Sequence, residues 1–352
     1  METIAPIGAQ MTARGESRIG WVNRLLVPPP PAKVEPLAES PTFSIVIATY
    51  QAADTVSNAI RSALEQTHPA HEVIVVDDGS TDDIESALEP FDERIVSIRK
   101  PNGGGASALN TGAKAASGDF MAILDADDAY HPGRLEALAG LATARPDLDL
   151  ITTDARFVVK GEGVGNFAAH TPFAIADQRT AIFKSCFPGG WPAIRLSRLR
   201  EVGGFDESLR TGYDWDCWLR LILAGSQAGL VDAAYYDYWL HPGSLTGSRA
   251  SSLWDRVRLL EKASQNSALK DKERPALERA LRSHRSNAVI AEAQAVLYGS
   301  TSRLRLARYA LARRIEPRVR LAALLTATIP PLARRIVPEY RAAEERLTEA
   351  AK

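Results

Sequence analysis

Residues 43–82 read FSIVIATYQAADTVSNAIRSALEQTHPAHEVIVVDDGSTD. The segment opens on a largely apolar run, Phe43 to Thr49, rich in β-branched residues, as expected of a buried strand. Asp54 then stands where a helix cap is expected, and Val56, Ile60, Ala63 and Leu64 follow at helical spacing. Glu72 to Asp77 (EVIVVD) is a second strand-like run. Strand, helix and strand in so short a span predict a parallel pair, because the crossover helix returns the chain to the same end of the sheet.

Outward from this unit the pattern repeats. Arg94 to Arg99 and Phe120 to Leu124 are the third and fourth predicted strands, each preceded by a helix-compatible segment. Such alternation predicts an α/β fold with a doubly wound, mainly parallel sheet flanked by helices. Past residue 150 the pattern is mixed, with short strands near Ile151 to Asp154 and Phe157 to Lys160 and a Gly- and Pro-rich loop from Phe187 to Pro192. A helix over Asp214 to Ala224 and a late strand over Tyr235 to Leu240 follow, and from Ser251 onward the chain is helix-compatible and rich in Ala, Leu and Arg.

Ligands of doubly wound sheets bind beyond the carboxyl ends of the strands. The residues placed there are Thr49-Tyr50, then Asp77-Asp78-Gly79-Ser80-Thr81-Asp82, then Asp125-Ala126-Asp127-Asp128. Three aspartates in four positions repel one another and raise each other's pKa, and a hard divalent cation such as Mg²⁺ or Mn²⁺ removes that cost. The plainer reading of DADD is a capped turn before the helix at Pro132. Likewise VVDDGSTD is either a tight turn with an Asp cap or a carboxylate that accepts a hydrogen bond from a nucleobase N–H. Asn102 to Gly105 (NGGG), with Ala108, Asn110, Gly112 and Ala116, opens a helix whose exposed backbone permits close approach of a ligand.

Taken in order, Ala48-Thr49-Tyr50, VDDGSTD, NGG with Asn110, Gly118-Asp119-Phe120, and Leu124-Asp125-Ala126-Asp127-Asp128 resemble the family 2 glycosyltransferases of GT-A fold. Gly203-Gly204-Phe205-Asp206-Glu207 and Asp214-Trp215-Asp216-Cys217-Trp218-Leu219-Arg220 are similar to that family's acceptor-side segment, so the resemblance covers about residues 43–245. It implies an inverting transferase, dependent on Mn²⁺ or Mg²⁺, that moves a sugar from a UDP-, GDP- or dTDP-linked donor to a saccharide or lipid-linked acceptor in cell-surface polysaccharide or glycolipid synthesis.

Carried over by position, the resemblance implies that Thr49 and Tyr50 border the base, that Asp78 beside Asp77 reads it, and that Asn102, Gly103, Asn110, Asp125 and Ala126 line the rest of the donor site. Asp127 is the implied metal ligand, with Asp125 and His241 beside it and Asp128 behind. Asp214 inherits the role of catalytic base, although Tyr213 stands where the family usually has Glu and Asp216 is two residues on. Gln51 replaces a common Asn and keeps the amide. Trp191, Trp215 and Trp218 are either core or a platform for a sugar face. Two other classes compete: a catalytically silent GT-A domain that binds saccharide or serves as a scaffold, and a nucleotidyltransferase, against which no Gly-rich basic loop follows the first strand.

The 352 residues carry a formal charge of −1, unevenly divided: residues 1–249 hold 21 basic and 32 acidic side chains, and residues 250–352 hold 21 and 11. An acidic front argues against nucleic acid as partner, since phosphate binding needs clustered Lys and Arg. Two cysteines without a CxxC spacing predict neither a disulfide framework nor a zinc site. No signal peptide or spanning helix is read, and the expected location is cytoplasmic, peripheral at the inner face of the membrane. The expected organisation is a flexible arm with a Pro-rich spacer at 1–40, a GT-A domain at 41–248 (41–128 for the nucleotide, 129–248 for the acceptor) and a basic α-helical extension at 249–352. Arginines before the apolar stretch Leu321 to Ala333 fit either peripheral membrane contact through 303–336 or a hairpin packed on the catalytic domain.

Overall fold

The run at 43–49 forms the middle of the sheet, with Phe43, Ile45, Val46 and Ile47 wholly buried. The computed structural model describes residues 24–30, 40–241, 249–297, 302–311 and 315–336. The chain divides into two compact units, Met1–His241 and Pro242–Lys352. The boundary expected at 248 lies close by, among residues outside the described ones.

The first unit holds strands β1 (Arg24–Leu26), β2 (Phe43–Thr49), β3 (Glu72–Asp77), β4 (Val96–Arg99), β5 (Phe120–Asp125), β6 (Ala129–Tyr130), β7 (Leu150–Val159), β8 (Glu162–Asn166), β9 (Ala193–Arg195) and β10 (Ala228–Trp239). Its helices are α1 (Val56–Leu64), α2 (Ile84–Leu88), α3 (Gly105–Ala115), α4 (Arg134–Ala144), α5 (Phe167–His170), α6 (Gln178–Ala181), α7 (Leu196–Glu201) and α8 (Tyr213–Leu223). The strands form one sheet in the order β1-β10-β7-β9-β5-β2-β3-β4, with β6 on β10 and β8 on β7.

From β5 to β4 the sheet is parallel, and β2 is its switch point: the chain proceeds to β3 and β4 on one side, then returns to β5 on the other. Such a reversal opens a crevice at the carboxyl ends of the central strands. β9 runs antiparallel to both β5 and β7, which makes the sheet mixed beyond the nucleotide half. The two short strands expected near 151–160 are one strand, β7, and the late strand begins seven positions earlier than expected, because β10 pairs along β7 in parallel.

Two local expectations are corrected. Asp54 does not cap α1; the turn before that helix is held by Asp82, whose carboxylate accepts the Ala53 N–H at 2.8 Å. The arm at 1–40 is not flexible where it is described: β1 pairs antiparallel with β10, Val27 is buried, and Arg145 donates to the Pro28 carbonyl at 2.6 Å. The remainder of that arm and of the Pro-rich spacer lies outside the described residues, apart from 27–30 and Ser40.

The second unit contains α9 (Arg249–Ala263), α10 (Arg274–Leu297), α11 (Arg303–Leu311), α12 (Pro317–Thr328) and α13 (Pro330–Ile336). Val289, Ala293 and Val296 meet Leu306, Ala310, Val319, Ala323 and Ala333 in a core of its own. Among the described residues no helix is long and apolar enough to cross a membrane.

Candidate functional site

The parallel register brings three of the expected side chains to one edge of the sheet: Thr49 lies opposite Asp77, and Ala48, one residue back, lies opposite Asp125. The loops beyond them are tied together. Gln51 sits in the left-handed region at φ 51°, and its side-chain oxygen accepts the N–H groups of Thr81 (2.8 Å) and Asp82 (3.1 Å). The amide expected at this position therefore joins the first strand's loop to the VDDGSTD turn. Gly79, at φ 78°, lets Asn102 approach so closely that a Cβ would stand 2.8 Å from the Asn102 nitrogen. Turn and glycine loop are thereby one structure.

Asp78 makes that junction. Its buried carboxylate accepts the Gly103 N–H at 3.0 Å, the Gly104 N–H at 2.6 Å and the Lys100 ammonium at 2.5 Å. A base that bonds Asp78 has to share it with these three donors, so Asp78 acts first as the organiser of the loop. Asp77 is buried beside it and accepts the Ser80 N–H at 2.9 Å; Arg99 Nε stands 3.4 Å from its other oxygen, an ion pair too long and poorly aligned to count as a hydrogen bond. Tyr50 is 53 % exposed, and Asn102 and Gly103 are exposed as well, so these three border open space at the loop's mouth.

Beyond Gly104 the first turn of α3 offers backbone N–H groups and the positive end of a helix dipole, an arrangement suited to a diphosphate. Gly105 opens that helix under Tyr213, and a Cβ here would lie 2.6 Å from the Tyr213 hydroxyl and 3.1 Å from its ring. Gly105→Ala is accordingly expected to cost about 1–3 kcal/mol by overpacking. Thermal melting checks it: adding Tyr213→Phe, which removes the colliding oxygen, should restore most of the lost Tm, and a Gly105→Ala chain that melts normally would refute the contact.

Tyr213 leads from the glycine loop to the acidic cluster. Burial raises its hydroxyl pKa, and the charges of Asp125 and Asp214 raise it further. Asp125, at the end of β5, is pushed up to about 7 by burial and then by the charges of Asp127 and Asp214. Asp127 is about one-third exposed, and its Oδ2 lies 2.7 Å from His241 Nε2. Asp125 thus lies within electrostatic reach of Asp127 and Asp214, and Asp127 touches His241, so residues from three places in the sequence converge here. Ala126 is buried between the first two.

Asp127, Asp125 and His241 do not close into a ready-made cage, for no group of three metal-binding side chains stands together among the described residues. Mg²⁺ and Mn²⁺ take one or two carboxylates and fill the shell with water and substrate phosphate oxygens. The charge crowding that raises Asp125 is what a cation would relieve, so the donor set fits the ion. Asp128 has another task. Burial pushes it up to about 9, and it holds β10 by accepting the Trp239 N–H at 2.8 Å and meeting the Tyr236 hydroxyl at 2.7 Å.

Several expected residues are engaged elsewhere. Asn110 is clamped to the 203–207 loop: its oxygen accepts the Phe205 N–H at 2.8 Å, and its nitrogen donates to the Phe205 carbonyl and to Glu207, each at 2.9 Å. Asn110 thus ties α3 to that loop. Asn110→Ala should lower stability by about 1–3 kcal/mol through unmet polar groups, a fall in Tm of several degrees. A weakened donor affinity with unchanged Tm would instead restore it as a donor contact. The tryptophans are core: Trp191, Trp215 and Trp218 are at most 5 % exposed, and their N–H groups bond the carbonyls of Thr153, Ile182 and Gly189. Asp216 is buried against Arg220 at 2.7 Å, which separates it from Asp214 two residues away.

Three contributors escape a sequence reading. Lys100 has no motif beyond lying just before NGGG. Tyr213 is seen there only as a replacement for Glu. Arg134, wholly buried, stacks over Tyr130 and Tyr236 at 4.5 and 5.1 Å and donates to the Trp191 carbonyl, beneath the tyrosine whose hydroxyl meets Asp128.

Residues 44–203 match the family model described as glycosyl transferase family 2, a span that takes in every site residue from Thr49 to Asp128 and ends before Tyr213. Residues 44–203 are thus similar to a glycosyl transferase family 2 domain. An uncharacterized glycosyltransferase of Rickettsia prowazekii is 33% identical over 210 residues, 56% of this chain and 62% of the relative. The succinoglycan biosynthesis protein ExoO of Rhizobium meliloti is 29% identical over 219 residues, 58% and 63% of the two lengths. The chain therefore spans less than two thirds of the length of these curated relatives. A mannosyltransferase of Pyrobaculum calidifontis, solved with GDP-Man and Mn²⁺, shares the fold at a TM-score of 0.57 and 21% identity, covering 86% of this chain and 90% of the other. The family 2 domain accordingly has the GT-A fold, with helical structure after it.

Proposed function

We propose that this chain transfers a sugar from a nucleoside diphosphate to an acceptor hydroxyl with inversion, in the assembly of a saccharide or lipid-linked polysaccharide. The observation that carries the reading is the meeting of Asp125, Asp127 and Asp214 next to Tyr213, directly beside a helix that opens on glycine. Relatives in succinoglycan synthesis and a neighbour holding GDP-Man with Mn²⁺ point to the same chemistry.

In this reading Tyr50 and the turn at Asp77-Asp78 border the base, while Asn102, Gly103 and the first turn of α3 receive the diphosphate. Asp127 and Asp125, together with His241, would hold a Mn²⁺ or Mg²⁺ ion, which would supply Lewis-acid neutralisation of the departing diphosphate. Asp214 stands across the cluster at the start of α8 and takes the proton of the acceptor hydroxyl as its oxygen attacks the anomeric carbon from the face opposite the leaving group. Gly190 lets the acceptor side come near, for even a methyl group there would stand 3.3 Å from Asp214 Oδ2.

The test is turnover. With Mn²⁺ and a panel of UDP-, GDP- and dTDP-sugars, one donor should release its nucleoside diphosphate, and proton NMR of the product should find the opposite anomer. Retention of configuration would remove Asp214 from the role of base, and no release from any donor, even by slow hydrolysis, would remove the reading.

A further inference from the structure

The helices after residue 302 carry a chemistry that sugar transfer does not use. Their inward faces are consumed by the unit's own core, Leu306 and Ala310 on α11 and Val319 and Ala323 on α12. Yet Leu304, Leu311 and Leu321 are 68, 67 and 71 % exposed, and Ile329 and Leu332 stand open as well. These are five of the ten large apolar side chains that stand exposed among the described residues, so the clustering is not the scatter of single leucines normal to any surface.

The spacing gives the cluster a direction. At 3.6 residues per turn, Leu304, Arg308 and Leu311 form one stripe on α11, on the side away from Leu306 and Ala310. On α12, Arg318 and Leu321 likewise share the side away from Val319 and Ala323. Residues 303–336 hold nine arginines against one acidic residue, Glu316. Arg303 and Arg308 are exposed beside the leucines, while Arg305 pairs with the buried Glu292 at 2.9 Å and so is structural.

Exposed leucines interleaved with guanidinium groups fit a layered partner, apolar below and anionic above, because arginine stems lie along apolar surface while their heads reach the anionic layer. Two copies of the same face would oppose arginine to arginine, and the charge therefore selects against self-association. Since no described helix is long and apolar enough to span a bilayer, the contact is with its surface. We propose that the outward stripes of α11 and α12 dock this chain onto an anionic phospholipid surface. The inference goes beyond the transfer reading and needs neither donor nor metal.

The test uses the full chain, sedimented with vesicles of phosphatidylcholine alone or mixed with phosphatidylglycerol, alongside size-exclusion chromatography. Expected is pelleting with the mixed vesicles only, weakened by salt. The triple variant Leu304→Ser, Leu311→Ser, Leu321→Ser should reduce the bound fraction about tenfold or more, as should Arg303→Glu, Arg308→Glu, Arg318→Glu, while melting temperature and nucleotide-sugar binding stay unchanged. Four results would overturn the proposal: no pelleting, equal pelleting with neutral vesicles, full pelleting of the serine variant, or a dimer that the serine variant converts to monomer. Loss of donor binding in the unmutated chain would instead count against the transfer reading alone.

Discussion

Asp127→Asn is expected to abolish Mn²⁺-dependent binding of a nucleotide sugar and to lower kcat/KM at least about a hundredfold, about 2.7 kcal/mol of barrier. The size follows from position. Asp127 is about one-third exposed and, among the described contacts, its carboxylate meets His241, so the chain loses little of its packing with the charge. Melting temperature without ligands should therefore hold, while the rise produced by donor with metal disappears. The neighbouring Asp128→Asn makes the contrast: that side chain is buried and secures Trp239 and Tyr236, so its effect should fall on stability first. A metal-dependent donor response that survives Asp127→Asn would move the ion elsewhere.

Asp214→Asn is expected to reduce kcat by about 10²–10⁴-fold, the usual contribution of a general base, with donor affinity and Tm unchanged. The asparagine keeps the shape at the start of α8 and loses the proton acceptor. Asp216→Asn should do the reverse. It leaves Arg220 without the carboxylate it touches at 2.7 Å, and Arg220 also donates to the carbonyls of Val202 and Gly204 that shape the next loop. Its loss should therefore appear in melting temperature before it appears in rate. Steady-state kinetics beside melting curves separates the two aspartates, and an Asp214→Asn chain with normal kcat would refute the assignment of the base.

The nucleotide half is legible in the sequence because β2, β3 and β5 are largely apolar runs, the last two ended by aspartates, a pattern that leaves little choice of register or end. β10 is not, since it starts Ala-Gly and carries Asp232 and Asp237; pairing with β7 and β1 makes it a strand. Asp54 has the composition of a cap, but Asp82 reaches the turn first from the next loop. Asn110 looks like a ligand contact because amides in glycine-rich loops often are, and its actual partners lie 95 and 97 residues away. The tryptophans are similar: a ring near a catalytic segment suggests a platform, whereas the carbonyls that bind these N–H groups exist only once the chain has folded.

Arg134 is the clearest case of what composition hides. As a sequence symbol it is one more basic residue at a helix start. In the fold it is wholly buried between Tyr130 and Tyr236, and burial lowers its pKa against the pull of those two rings. Arg134 therefore supports the Tyr236 ring whose hydroxyl meets Asp128, a link that a reading of motifs cannot provide.

Thermal melting of the unmutated chain across UDP-, GDP- and dTDP-sugars, each with and without Mn²⁺, tests the central claim most directly. The account predicts a donor whose stabilisation requires the metal, about 2.7 kcal/mol at a hundred times its Kd. Stabilisation by a glycan with neither nucleotide nor metal, and by no donor under any condition, would contradict it.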